Sequence, residues 1–109
     1  MGARMSAAVV HNDTVYLAGQ VADAPKGKSV AEQTAEVLSI IDRLLAEAGS
    51  DKSKILSATI YLPDISTFAQ MNGEWDKWVS AGNTPARATV EARLAAPDYK
   101  VEIAVIAAV

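Results

Sequence analysis

The order of apolar and polar runs predicts an α+β fold: a mixed β-sheet with two helices packed on one face, in the order β-β-α-β-α-β-β. Three observations carry it. Ser29-Val30-Ala31-Glu32 is a capping box that opens a long helical period. Phe68, Met71, Trp75 and Trp78 recur at i, i+3, i+7 and i+10, which defines a second helix. Around these lie five short β-prone runs, and two strand–helix–strand units place both helices on the same side of a sheet.

Ala7–Val10 and Thr14–Val21 read as a hairpin whose turn is supplied by His11-Asn12-Asp13. Gly19 interrupts the second strand and suggests a bulge, or a place where something approaches the backbone closely. The loop ADAPKGK leads to the first helix, expected from Ser29 to about Ala48. Val30, Thr34, Val37, Ile41, Leu44 and Ala48 line one of its faces, Leu38 and Leu45 widen the stripe, and Gly49 ends it. After the polar loop SDKSK, Ile55–Leu62 alternates as a strand, and Pro63-Asp64 stops it. The second helix is expected over 66–81, with Gly82 past its end and its aromatic stripe assigned to the core. Strands follow at 86–93 and 100–108.

The final strand is apolar on both alternating sets: Val101, Ile103, Val105 and Ala107 on one, Ala104, Ile106 and Ala108 on the other. Two helices cover one face only, so a second subunit is expected over the other.

One domain, 1–109, accounts for the whole chain of 109 residues. Half of it is hydrophobic, and the formal net charge is −3, which argues against a nucleic-acid ligand. The local basic pair Lys26 and Lys28 lies in a loop. No run reaches the ~18 apolar residues of a membrane span, and MGARMSAAVVHND lacks a secretory apolar segment. A soluble, cytoplasmic protein is expected. Without cysteine, thiolate chemistry is excluded, and the lone His11 cannot build a histidine metal site. Neither metal nor cofactor is expected. Chemistry falls to Arg, carboxylates, hydroxyls and backbone groups.

Two charges stand out near the C-terminus. Arg87 shares a strand face with Thr89, Glu91 and Arg93, which pattern alone reads as the wet side of an edge strand. Glu102 heads the apolar row Ala104, Ile106 and Ala108. A carboxylate in such a row needs a partner or a function, with Lys100 or Arg93 as structural partners. An arginine fork suits a small carboxylate ligand, and a nearby glutamate can position or deprotonate water.

These residues resemble the Rid (YjgF-like) family of reactive-intermediate deaminases, and the likeness spans nearly the whole chain. It is most specific at Pro85-Ala86-Arg87-Ala88-x-Val90 followed by Val101-Glu102-Ile103. VYLAGQV and ATIYLPDISTFAQMN add to it, while MNGEWDKWV is similar to a side branch of the family. The resemblance implies a chorismate-mutase-like fold and a homotrimer with ligand clefts between subunits. It implies hydrolysis of 2-imino or enamine acids, such as 2-aminoacrylate, to 2-keto acids and ammonia. Arg87 matches the arginine for the substrate carboxylate and Glu102 the glutamate that handles water. Gly19 and Thr89 fall where backbone groups contact the ligand. Two positions depart from the pattern: Ala18 replaces a serine, and Met5 stands where a pocket tyrosine is common. Both make the pocket more apolar and point toward a bulkier or different imino acid. The competing readings are a non-catalytic trimer that binds small carboxylates, a ribonuclease or translation inhibitor, and a chaperone-like surface.

Overall fold

The computed structural model describes residues 2–109. The expected order of strands and helices is present: β1 (Ala8–His11), β2 (Thr14–Leu17), α1 (Val30–Glu47), β3 (Ile55–Leu62), α2 (Phe68–Trp78), β4 (Ala86–Glu91) and β5 (Glu102–Ala108), with single 3-10 turns at Lys52–Lys54 and Ile65–Thr67. The five strands form one sheet in the spatial order β1-β2-β5-β3-β4. Only β3 and β4 run parallel, and α2 is the crossover that joins them.

The apolar alternation decides which face the helices cover. Val15, Leu17, Ala58, Ile60, Leu62, Val101, Ile103, Val105 and Ala107 point under the helices and are buried. They pack against Val30, Val37, Leu38, Ile41 and Leu45 of α1 and against Met71 and Trp75 of α2. The second apolar row of β5 lies on the opposite, uncovered face, where Ala104, Ile106 and Ala108 are half-buried beside the exposed Val9 and Tyr16.

The helix starts as its sequence dictates. Ser29 Oγ accepts from the Glu32 amide (3.1 Å), and Glu32 Oε1 accepts from the Ser29 amide (2.9 Å). These bonds hold the Glu32 carboxyl below its usual range. One turn on, Gln33 is fully buried although it is polar. Its Nε2 donates to the carbonyls of Pro25 (3.1 Å), Lys28 (3.3 Å) and Asp98 (2.9 Å), and its Oε1 accepts from the Lys100 amide (2.9 Å). One amide side chain thus ties the loop before α1 to the turn that feeds β5, which explains a glutamine inside an apolar stripe.

Several boundaries differ from expectation. The hairpin turn is the two residues Asn12-Asp13, with Asn12 at φ 54°, so His11 sits inside β1 opposite Thr14. Strand β2 ends at Leu17, and the chain rejoins the sheet only at Gln20. Helix α2 ends at Trp78 because Val79 turns to an extended conformation and packs against the core. The aromatic stripe also divides: Met71 and Trp75 are core, whereas Phe68 is 41% exposed.

Gln33→Leu keeps the volume and removes every bond the amide makes. We expect it to lower stability by about 3 kcal/mol, because several carbonyls lose their partner; a urea unfolding curve measures this. Ser29→Ala is expected to cost about 1 kcal/mol. Glu32 has a lowered folded pKa, so its share is present above the ordinary carboxylate range and is lost as pH falls through the lowered value. The penalty of Glu32→Gln should therefore shrink on acidification, as unfolding curves at neutral and acid pH would show.

Candidate active site

The bulge at Ala18-Gly19 builds the first half of the site. Tyr16 pairs with Ile106, but Gln20 pairs with Ile103, so β2 carries one more residue than β5 across this interval. Gln20 and Ile103 close the bulge with reciprocal backbone bonds, Gln20 N to Ile103 O at 2.8 Å and Ile103 N to Gln20 O at 3.1 Å. The Gln20 side chain also spans the bulge, its Nε2 donating to Ala18 O at 2.8 Å.

Gly19 then lies against the carboxylate of Glu102: a Cβ on Gly19 would stand 2.2 Å from Glu102 Oε2. Both expectations for this glycine hold together, since it lies in a bulge and a group approaches its backbone. Glu102 pairs with Tyr61 in the ladder and projects from the uncovered face of the sheet. It joins no salt bridge among the described residues. Lys100, weighed as its partner, instead donates Nζ to Lys28 O at 2.8 Å.

The second half lies on the other face. In β4, Arg87 pairs with the buried Ala58, and Arg87 and Thr89 are half-buried on the helix side. Ala86, Ala88 and Val90 are exposed on the opposite side. The strand is an edge strand, as the wet-face reading requires, but its polar side is turned under α2 and its apolar side is left bare. The Arg87 Cζ stands 5.2 Å from the centroid of the Trp75 ring and 5.7 Å from that of Phe68. Arg87 joins no salt bridge among the described residues. Glu91 leaves the row to cap the turn before α2, accepting from the Ile65 amide at 3.0 Å.

A groove of about 290 Å³ runs over this strand pair, lined by Ser57, Thr59, Ala86 and Ala88 of the uncovered face together with Ala58 and Arg87. The side-chain oxygens of Thr89 and of Asn72 are buried without a hydrogen-bond partner among the described residues. Asn72 follows Phe68 by one turn and precedes Trp75 by one, so it belongs to the same stripe of α2.

Within one chain, then, Gly19, Ala18 and Glu102 come together, and so do Arg87 and Thr89. The two groups are separated by the sheet. Met5 lies on the exposed N-terminal segment ahead of β1. Phe68 and Trp75, assigned to the core by their spacing, lie against Arg87, and Asn72, which the sequence pattern did not single out, shares their stripe of α2. The signal was present as an asparagine between two aromatics on one helical stripe.

A mixed sheet with both helices on one face, carrying an arginine and a glutamate that join no salt bridge among the described residues, defines a small α+β class of protein. The family model described as Endoribonuclease L-PSP matches residues 2–109. A RutC family protein of Haemophilus influenzae is 51% identical over 105 residues, covering 96% of this chain and 90% of its own. The crystal structure of a YjgF family member from Neisseria meningitidis superposes with a TM-score of 0.95 at 54% identity, covering 99% of this chain and 89% of that one. A Rid family protein of unknown function from Yersinia pestis gives 0.90 at 33% identity, covering 100% and 90%. The chain belongs to this YjgF/Rid family. Among the described residues, no helix is long and apolar enough to cross a membrane.

Gly19→Ala forces the Glu102 carboxylate out of its seat, because 2.2 Å is far inside contact distance. The obstructing atoms are the end of a flexible side chain, so the fold should lose less than about 1 kcal/mol. A urea midpoint together with a structure of the variant, showing Glu102 swung away, would confirm this. A loss of several kcal/mol would show instead that Glu102 is locked in place.

Proposed function

We propose that this chain hydrolyses small 2-imino or enamine carboxylic acids to 2-keto acids and ammonia. The observation that carries the reading is that neither Arg87 nor Glu102 has a salt-bridge partner among the described residues, while Arg87 lies over the Trp75 and Phe68 rings and Glu102 lies against Gly19. An arginine fork without a partner suits a carboxylate. A carboxylate seated on a bulge, at the head of an apolar row, suits a water.

In this reading Arg87 binds the substrate carboxylate in its plane and fixes the adjacent C=N carbon. Glu102 positions a water and takes its proton as the water oxygen bonds to that carbon. That proton passes to the nitrogen to give the carbinolamine; the hydroxyl proton then follows it through Glu102 to the amino group as the C=O bond forms and the C–N bond breaks, and ammonia leaves the 2-keto acid behind. The imine is already electrophilic, so orientation and general-base help suffice. Thr89 and Gly19 supply backbone contacts, and Ala18 and Met5 leave the pocket more apolar. Neither cofactor nor metal enters the scheme.

The two halves lie on opposite faces of one sheet, so the reading requires Arg87 of one copy to meet Glu102 of another. A homotrimer with three intersubunit clefts satisfies this, and the bare residues Ala86, Ala88, Val90, Tyr16 and Ile106 would be covered by it. The family's description names RNA cleavage. A net charge of −3 disfavours a phosphate-backbone ligand. The replacement of a hydroxyl by Ala18 favours, as a second reading, a trimer that binds carboxylates without turnover.

The test is a coupled assay in which an oxidase generates a panel of 2-imino acids and semicarbazide traps what is not hydrolysed. Wild type should suppress trapping. Glu102→Ala should lower the rate by about 10²-fold or more, and Arg87→Ala should raise KM steeply. Binding of 2-keto acids without suppression would select the non-catalytic reading. Strongly salt-dependent RNA binding with no effect on imines would overturn the proposal.

Subunit mixing tests the shared cleft. If Arg87 and Glu102 of each site come from different copies, the two inactive variants co-refolded in equal amounts should regain about a quarter of the wild-type sites by random assortment. No recovery, once mass spectrometry shows mixed oligomers, would place both groups in one copy.

A further inference from the structure

We infer that Trp75, with Phe68, is the positioning residue for the Arg87 guanidinium: the two rings hold the cation by its faces and leave its edge free for the ligand. The inference rests on the reading of Arg87 as a carboxylate site and adds what prepares it.

A guanidinium has two ways of being held. A carboxylate partner takes the in-plane N–H groups, the same groups a ligand carboxylate needs. An aromatic ring takes the face and leaves those N–H groups unspent. Arg87 is held in the second way. Its Cζ lies 5.2 Å from the Trp75 centroid and 5.7 Å from that of Phe68, both within the ~6 Å reach of a cation–π contact. None of the salt bridges among the described residues involves it. Asn72 Oδ1 and Thr89 Oγ1 have no hydrogen-bond partner among the described residues, so they do not hold it either.

The shelf is itself fixed. Trp75 is only 5% exposed. Its ring is 5.3 Å from that of Trp78 at a 55° tilt. Trp78 is anchored to α1, its Nε1 donating to Asp42 Oδ2 at 2.9 Å, and Lys52 Nζ stands 5.5 Å from its centroid. A line of contacts therefore runs from Asp42 through Trp78 and Trp75 to Arg87. Phe68 is 41% exposed, so its ring is also available at the mouth of the site.

The chain has two tryptophans, both in this line, so fluorescence reports on it directly. Pyruvate, a 2-keto acid of the product class, should change the tryptophan emission of the wild-type chain, and Arg87→Ala should abolish the change. Trp75→Leu should weaken pyruvate binding about tenfold by calorimetry, and Trp75→Phe should restore most of it. Phe68→Leu, at a half-exposed ring, gives a smaller loss in the same direction and guards against misfolding of Trp75→Leu. With an imino-acid substrate, the positioning role raises KM and leaves kcat nearly unchanged; a merely structural role lowers the melting temperature and kcat at constant KM. If wild type binds no 2-keto acid, the Arg87 reading itself fails. If wild type binds, Arg87→Ala does not, and Trp75→Leu and Phe68→Leu bind like wild type, only the positioning role is overturned.

Discussion

The reciprocal backbone bonds between Gln20 and Ile103 are the interaction on which the site depends. They return the chain to the sheet after Ala18-Gly19 leave the ladder, and so fix the bulge between two paired points. Without them, β2 would run straight, and Gly19 would sit in register instead of under Glu102. The glycine then has one function that no other residue can serve, because any Cβ would occupy the space of the carboxylate oxygen. Gln33 supports β5 at this same end. By holding the Lys100 amide and the Asp98 carbonyl, it sets the entry of β5 and hence the point at which Glu102 emerges.

The two charges are stored by different physics. Glu102 occupies a gap left by a missing side chain on the uncovered face, where it is half-buried. Arg87 is half-buried under α2, where its face rests on aromatic rings and its charge is offset by their quadrupoles. Pairing the two charges inside one chain would have satisfied both and ended their use for a ligand. Placing them on opposite sides of the sheet prevents this. The same placement leaves Ala86, Ala88 and Val90 bare on the face that also carries the half-buried apolar row of β5, with β3 between them. That bare surface and the divided site have one remedy in the proposed assembly, in which a second copy covers the first and completes the second.

Periodicity made the architecture legible. The capping box of α1, the alternation of β3 and the doubly apolar β5 each have one dominant physical reading, and the elements form where those readings place them. The register at Gly19 was legible only as an alternative, since a glycine in a strand is equally consistent with a bulge and with a close approach. Phe68 and Trp75 were not separable from the core by pattern. An aromatic at helical spacing looks the same whether a leucine or a guanidinium rests on it, and the partner lies in β4, which α2 meets only through the parallel crossover. The direction of Arg87 was likewise hidden. Strand alternation says which residues share a face, not which face the helices cover.

The departures at Ala18 and Met5 give the aromatic shelf its weight. In a pocket with several hydroxyls, a small carboxylate is oriented by many hydrogen bonds, and the exact pose of the arginine matters less. With those donors replaced by apolar groups, the guanidinium fork is left as the main source of orientation in the proposed site, and a fork on a flexible side chain orients nothing. Holding it has an entropic cost that must be met before the ligand arrives. Two aromatic faces, one of them anchored through Trp78 to α1, meet that cost within the fold and leave the binding edge untouched. The pairing of a more apolar pocket with a better-fixed arginine is thus a single arrangement, in which the loss of the first set of contacts is offset by rigidity in the second.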